Sequence, residues 1–106
     1  MKSLRVATCQ FSVEPEISHN LRYVLSQMKS AAESGAQVVH FSECALSGYA
    51  GVDIPSIREL DFAELETATA TIMDAAKRLR VWVLLGSTHR LTGRHRPHNC
   101  IYVIDP

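Results

Sequence analysis

The order of its apolar segments limits the fold of this chain more than any other feature. Three short apolar runs alternate with two longer segments in which apolar residues recur at helical spacing. The three runs are LRVATCQF, AQVVHF and VWVLLGS, which begin at residues 4, 36 and 81. Alternating strands and helices of this kind predict parallel strands joined by helical crossovers.

The two segments between these runs are predicted to be amphipathic helices. In the first, apolar residues follow a helical stripe over residues 21–32, with Ser18 or Asn20 as candidate N-cap. Gly35 is a candidate stop, because helices often end on a residue with positive φ. The second helix is predicted over residues 62–79.

A fourth run, CIYVI at residues 100–104, follows a loop containing Gly93 and predicts an antiparallel hairpin with the third strand. The expected fold is α/β, in the order β-α-β-α-β-β. Because the hydrophobicity of the strands is continuous rather than alternating, we expect the sheet to be covered on both faces. No helix follows the last strand, so the sheet is expected to be incomplete.

Composition argues against several classes of function. Eleven basic and eleven acidic residues cancel, so no nucleic acid or anionic membrane is indicated as a partner. No apolar run approaches the roughly 20 residues of a membrane span, and the start of the chain lacks a signal-peptide pattern. The cysteines are widely spaced without a CxxC pair, which favours a reduced, cytoplasmic setting; they are Cys9, Cys44 and Cys100.

The segment HRLTGRHRPH, residues 89–98, is a local basic cluster. It is either a solvated loop or a contact for an anion or a nucleic acid. Its histidines, together with His40, have none of the spacings of known zinc motifs, so no metal site is predicted.

The segment HFSECALSGY, residues 40–49, places a carboxylate directly after a predicted strand. Ligands of parallel α/β sheets bind outside the carboxyl ends of the strands, where Gln10, Glu43 and residues 86–89 are expected. Glu43 is therefore either a general base and acid or a solvated strand end. Cys44 is a rival nucleophile, but if the strand geometry persists its side chain points to the opposite face from that of Glu43. No other base or positive charge nearby activates the thiol, which favours a packing role.

Four segments occur in an order that is typical of one family. They are RVATCQF, GAQVVHFSECALSGY, VWVLLGSTHR and PHNCIYVIDP. Together they resemble the carbon–nitrogen hydrolases of the nitrilase superfamily. The resemblance covers essentially all of residues 1–106 and is most specific around Glu43.

The resemblance implies a fold, a chemistry and a set of partners. Members of the family form an αββα sandwich and pair as homodimers or higher oligomers. They hydrolyse small-molecule amides, N-carbamoyl compounds or, more rarely, nitriles with a Glu, a Lys and a Cys, and without a metal or organic cofactor. The Cys attacks the substrate carbon, the Lys stabilises developing charge, and the Glu transfers protons. Glu43 matches that Glu by position.

The other two residues of that set are not matched in this chain. In the family the Lys follows shortly after the point that corresponds to residue 106, and the nucleophilic Cys comes later. Lys77 lies on the second predicted helix and does not match. Residues 1–106 are thus expected to be the N-terminal segment of a single carbon–nitrogen hydrolase domain that is inactive by itself.

Some local features of the match affect the site. Ser42 stands where the family usually has Pro, and Cys44 stands where a larger apolar or aromatic residue is common. Tyr49 and Asn99 are expected to shape the loops around the site or to contact substrate. The alternative to an enzyme is a non-catalytic α/β module that binds a small ligand or a partner through its strand-end loops.

Overall fold

A computed structural model describes residues 2–106 of the chain. Strands β1 and β2 are parallel, as are β2 and β3, whereas β3 and β4 are antiparallel, so the order in the sheet is β1-β2-β3-β4. The predicted α/β class and strand directions are confirmed. The elements are β1 (Val6–Cys9), α1 (Ile17–Glu33), β2 (Val38–Phe41), α2 (Phe62–Leu79), β3 (Trp82–His89) and β4 (His98–Ile104).

Local capping explains where α2 begins and α1 ends. Helix α2 has the predicted bounds, because the Asp61 side chain accepts a hydrogen bond from the Glu64 N–H at 3.0 Å. Helix α1 ends at Glu33, and Gly35, the predicted stop, follows two residues later with φ of 85°. The next N–H, of Ala36, donates to the Ala31 carbonyl at 3.0 Å, which completes a Schellman motif.

The predicted start of α1 is wrong. The helix begins at Ile17, so Ser18 and Asn20 lie inside it and neither caps it. Asn20 is fully buried, and its amide hydrogen-bonds the backbone of Glu14 instead. A tertiary contact thus uses the side chain that the local pattern assigned to a cap.

The predicted end of the third strand is also wrong. Strand β3 runs to His89, so residues 86–89 are inside the strand rather than after it. Strand β4 begins at His98, earlier than the pattern indicated, and it pairs Asn99 with Thr88. No helix among residues 2–106 is long and apolar enough to cross a membrane.

The hydrophobic core lies on one face of the sheet, beneath α1 and α2. Val39, Val83 and Leu85 from the two central strands are fully buried there. On the opposite face, four apolar side chains are between 46% and 65% exposed, namely Val6, Trp82, Ile101 and Val103. We call this second surface the open face.

The expectation that both faces are covered is therefore wrong for residues 2–106. Both crossovers step in the same direction along the sheet, from β1 to β2 and from β2 to β3. Because crossovers between parallel strands are almost always right-handed, two steps in one direction place both helices on one face. The strands are continuously hydrophobic because the open face is apolar as well, although residues 2–106 do not cover it.

Candidate active site

Glu43 lies in a turn that follows β2 directly, at the carboxyl end of the parallel strands. The turn is closed by a hydrogen bond from the Ala45 N–H to the Ser42 carbonyl at 3.2 Å, and Cys44 adopts a left-handed backbone with φ of 52°. Residues 44–47 are buried, whereas Glu43 is exposed. The buried residues therefore anchor the turn, and the Glu43 carboxylate remains accessible to solvent.

Strand β3 fixes this turn from below. The Leu46 N–H donates to the Gly86 carbonyl at 3.2 Å, and the Ser47 and Thr88 hydroxyls are 2.9 Å apart. A Cβ on Gly86 would lie 2.1 Å from the Ser42 carbonyl oxygen, so only glycine lets the turn approach this closely. The sequence carried a signal for this contact, since a glycine inside an apolar strand often marks a close backbone approach.

Helix α1 holds the same turn from the other side. The buried Asn20 amide donates to the Leu46 carbonyl at 3.0 Å and to the Glu14 carbonyl at 2.8 Å. Its oxygen accepts from the Glu14 N–H at 2.9 Å. Asn20 thus ties the loop after β1 to the turn after β2, a role that the sequence pattern did not indicate.

The hairpin of β3 and β4 brings Asn99 to Glu43. The Asn99 amide nitrogen, Nδ2, donates to Glu43 Oε1 at 2.5 Å, and its oxygen, Oδ1, lies 3.6 Å from the Cys44 sulfur. Two of the three candidate site residues from the sequence are therefore in direct contact, and Cys44 joins them.

Two adjacent clefts open beside this cluster. A cleft of about 440 Å³ is lined by Glu43, Asn99 and neighbours on β2 and β4. A larger cleft of about 630 Å³ is lined by Tyr49, Thr88, Arg96 and again Asn99, but not by Glu43. Tyr49, the third candidate, therefore lies one cleft away from the carboxylate, with Asn99 between them.

The three cysteines are free, and burial raises the pKa of each thiol. Cys44 is only 3% exposed. The Glu43 carboxylate raises the pKa of Cys44 further, whereas hydrogen bonds with Ser47 and Thr88 partly oppose the effect of burial. These thiols are held in their protonated form, which is the unreactive one.

The remaining candidates lie away from Glu43. Lys77 is exposed in the last turn of α2, which leads into the start of β3 and thus lies at the opposite end of the sheet. In the basic segment, the Arg90 guanidinium stacks on the Phe62 ring at 4.5 Å, and Arg96 faces the larger cleft. Among residues 2–106, no group of three or more His, Cys, Asp or Glu side chains is placed to hold a metal ion.

Known proteins match this chain in sequence and in fold. The omega-amidase NIT2 of Xenopus tropicalis is 32% identical over 87 residues, which are 82% of this chain and 30% of that protein. This chain therefore spans about a third of the length of that relative. The family model of the carbon–nitrogen hydrolases matches residues 5–106.

Two solved structures share the fold at low sequence identity. A mutant of the amidase from Nesterenkonia sp. AN1 in complex with butyramide gives a TM-score of 0.75 at 17% identity, over 94% of this chain and 41% of that one. Another mutant of this amidase shows covalent addition of the acetamide moiety of fluoroacetamide at the active-site cysteine. It gives a TM-score of 0.70 at 20% identity, over 81% of this chain and 32% of that one. With the family match over nearly its whole length, the chain belongs to the carbon–nitrogen hydrolase family.

Proposed function

We propose that Glu43 is the proton-transferring carboxylate of a carbon–nitrogen hydrolase that acts on small-molecule amides or N-carbamoyl compounds, with nitriles a less favoured substrate. The observation that carries this proposal is the hydrogen bond from Asn99 Nδ2 to Glu43 Oε1. It orients an exposed carboxylate beside a cleft at the carboxyl end of a parallel sheet, where ligands of such sheets bind. A general base or acid needs this combination of access and fixed direction.

The reaction that we propose uses a Lys and a Cys from outside residues 1–106. Glu43 takes the proton of the Cys thiol as the sulfur forms a bond to the amide carbon, and then gives that proton to the leaving amine as the C–N bond breaks. Water next attacks the thioester, Glu43 accepts a proton from the water, and the sulfur leaves and recovers it. The Lys stabilises the oxyanion in both steps. The acetamide moiety added covalently to the active-site cysteine of the Nesterenkonia amidase supports one part of this scheme, a Cys as the nucleophile.

Residues 1–106 act in this proposal as the N-terminal segment of a single hydrolase domain. The names of the relatives, omega-amidase and amidase, favour amides among the candidate substrates. We further propose a homodimer or higher oligomer, no nucleic-acid or membrane partner, and a cytoplasmic location. The three free cysteines support the last point, because reduced thiols persist in that compartment.

The test is Glu43→Gln in the full-length protein that carries this segment. We expect kcat for amide hydrolysis to fall about 10²- to 10⁴-fold, because Gln keeps the shape of the side chain but cannot accept a proton. Circular dichroism should show an unchanged fold. Glu33→Gln, at an exposed site at the end of α1, is the matched control and should retain the wild-type rate.

Two outcomes contradict the proposal. Near-normal turnover in the Glu43→Gln variant removes the role assigned to the carboxylate. Measurable amide turnover by the purified 106-residue chain, abolished by Glu43→Gln, contradicts the need for a Lys and a Cys from elsewhere.

A further inference from the structure

The proposed function gives no role to Cys44, the buried residue that follows Glu43 in the chain. Its sulfur lies 3.6 Å from Asn99 Oδ1, and the same amide donates to Glu43 through Nδ2. The three side chains therefore form a continuous hydrogen-bonded series that ends on the proton-transferring group.

The donors and acceptors in this series fix its direction. An ionised carboxylate only accepts hydrogen bonds, so the Asn99 amide must turn its nitrogen toward Glu43. Its oxygen then faces Cys44 and requires a donor there, which a thiol supplies and a thiolate does not. The Ser87 carbonyl is a second acceptor for the thiol hydrogen, but at 3.9 Å it is the more distant one.

The state of the Cys44 thiol agrees with this direction. Burial raises the pKa of Cys44 more than its hydrogen bonds with Ser47 and Thr88 lower it, and the negative charge of Glu43 raises it further, so the sulfur carries its proton at neutral pH. An anionic sulfur would also face the Asn99 carbonyl oxygen, which repels it. The environment therefore favours the donor form of Cys44 over the nucleophilic form.

We propose that Cys44 and Asn99 are positioning residues for Glu43, in which the thiol orients the Asn99 amide and the amide orients the carboxylate. This inference rests on the proposed function of Glu43.

The first test compares Cys44→Ala with Cys44→Ser in the full-length protein. Alanine removes the donor, and kcat for amide hydrolysis should fall about threefold to tenfold with little change in KM, as for the loss of one neutral hydrogen bond. Serine is of similar size and restores a donor, so it should recover most of that rate. If Cys44 only fills space, the order is reversed, because a hydroxyl is costlier than a methyl group in a buried site.

The second test uses Asn99→Asp, which keeps the shape of the side chain. The variant loses the donor to Glu43 and places a second carboxylate against it, so kcat should fall about tenfold or more. Adding Cys44→Ala to this variant should cause no further loss, since the series is already broken. If Cys44→Ala fails to fold, Asn99→Asp alone still tests the link to Glu43, and Cys44→Ser alone still tests the link to Asn99.

Cys9→Ala and Cys9→Ser are the matched controls, because Cys9 is a partly buried thiol on β1 outside the series. Both should keep the wild-type rate. Equal rates for Cys44→Ala and Cys44→Ser, a wild-type kcat for Asn99→Asp, or additive losses in the double variant overturn the inference. These outcomes differ from a failure of the proposed function, which is an active Glu43→Gln variant.

Discussion

The two faces of the sheet contain apolar residues of the same kinds, yet they have opposite environments. Leu85 on the helix-covered face is fully buried, whereas Ile101, on the adjacent paired strand, is 65% exposed on the open face. Both strands read as continuous apolar runs in the sequence. Hydrophobicity therefore reports that a strand has two apolar faces, but the direction of the crossovers decides which face the helices cover.

The open face is not uniformly bare. By alternation along β3, Gly86 belongs to the same face as its partner Ile101, and there the turn that carries Glu43 packs directly on the strand. Thr88, two residues further, is also buried beside this turn. The turn that carries Glu43 thus covers the open face at the carboxyl ends of the parallel strands, whereas apolar residues elsewhere on this face are exposed. A segment that covered those residues would therefore contact the turn.

The largest difference between the two faces should appear when Leu85→Ala is compared with Ile101→Ala. The two side chains are isomers, so both substitutions remove the same number of carbon atoms. We expect Leu85→Ala to lower the free energy of unfolding by about 2–5 kcal/mol, because it leaves a cavity in the core. Ile101→Ala should change it by about 0.5 kcal/mol or less in the 106-residue chain.

Urea denaturation of both variants measures this difference. Similar losses of stability would mean that the open face is already covered in solution, for instance by a second copy of the chain. The two faces would then not differ as the structure indicates.

The second test concerns the covered end of the open face. Gly86→Ala should lower the free energy of unfolding by about 1–3 kcal/mol, since the added methyl group displaces the backbone of the Glu43 turn. Gly93→Ala is the matched control, because a Cβ there has nothing within 4 Å. We expect the control to stay within about 0.5 kcal/mol. Denaturation and, in the full-length protein, amide turnover measure the two effects.

Equal stabilities for the two glycine variants would contradict the close contact between the turn and β3. A Gly86→Ala variant that is destabilised but retains full turnover would separate the contact from the placement of Glu43. The role of Gly86 would then be limited to folding.

Local patterns predicted the elements well where local physics decides them. Helix α2 has its predicted bounds because Asp61 caps it within the same segment, and Gly35 ends α1 because its backbone adopts a positive φ. The start of α1 could not be predicted in this way. Asn20 looked like a cap, but its amide is used by Glu14 and by Leu46, which is 26 residues away in sequence.

In the candidate site, too, local sequence predicted some features, whereas contacts between distant segments determine others. The sequence indicated Glu43 from its place after a strand and from the family resemblance. It could not show that Asn99 contacts this carboxylate, because the contact depends on the register that pairs Asn99 with Thr88 and on the turn that β3 supports. The link from Cys44 to Asn99 spans 55 residues and has no local signature.

The substitution with the smallest expected effect, Val103→Thr, tests whether a second sheet covers the open face. Val103 is 65% exposed, and Val103→Thr keeps the β-branched shape that suits a strand. In the 106-residue chain this substitution should therefore lower the free energy of unfolding by about 0.5 kcal/mol or less. In a full-length protein with the αββα sandwich that the family resemblance implies, the same hydroxyl would be buried between two sheets. Burial of this hydroxyl without a hydrogen-bond partner should then lower the free energy of unfolding by about 1–3 kcal/mol. A cost that is small in both proteins, measured by denaturation, would mean that Val103 stays exposed and that no second sheet covers this part of the open face.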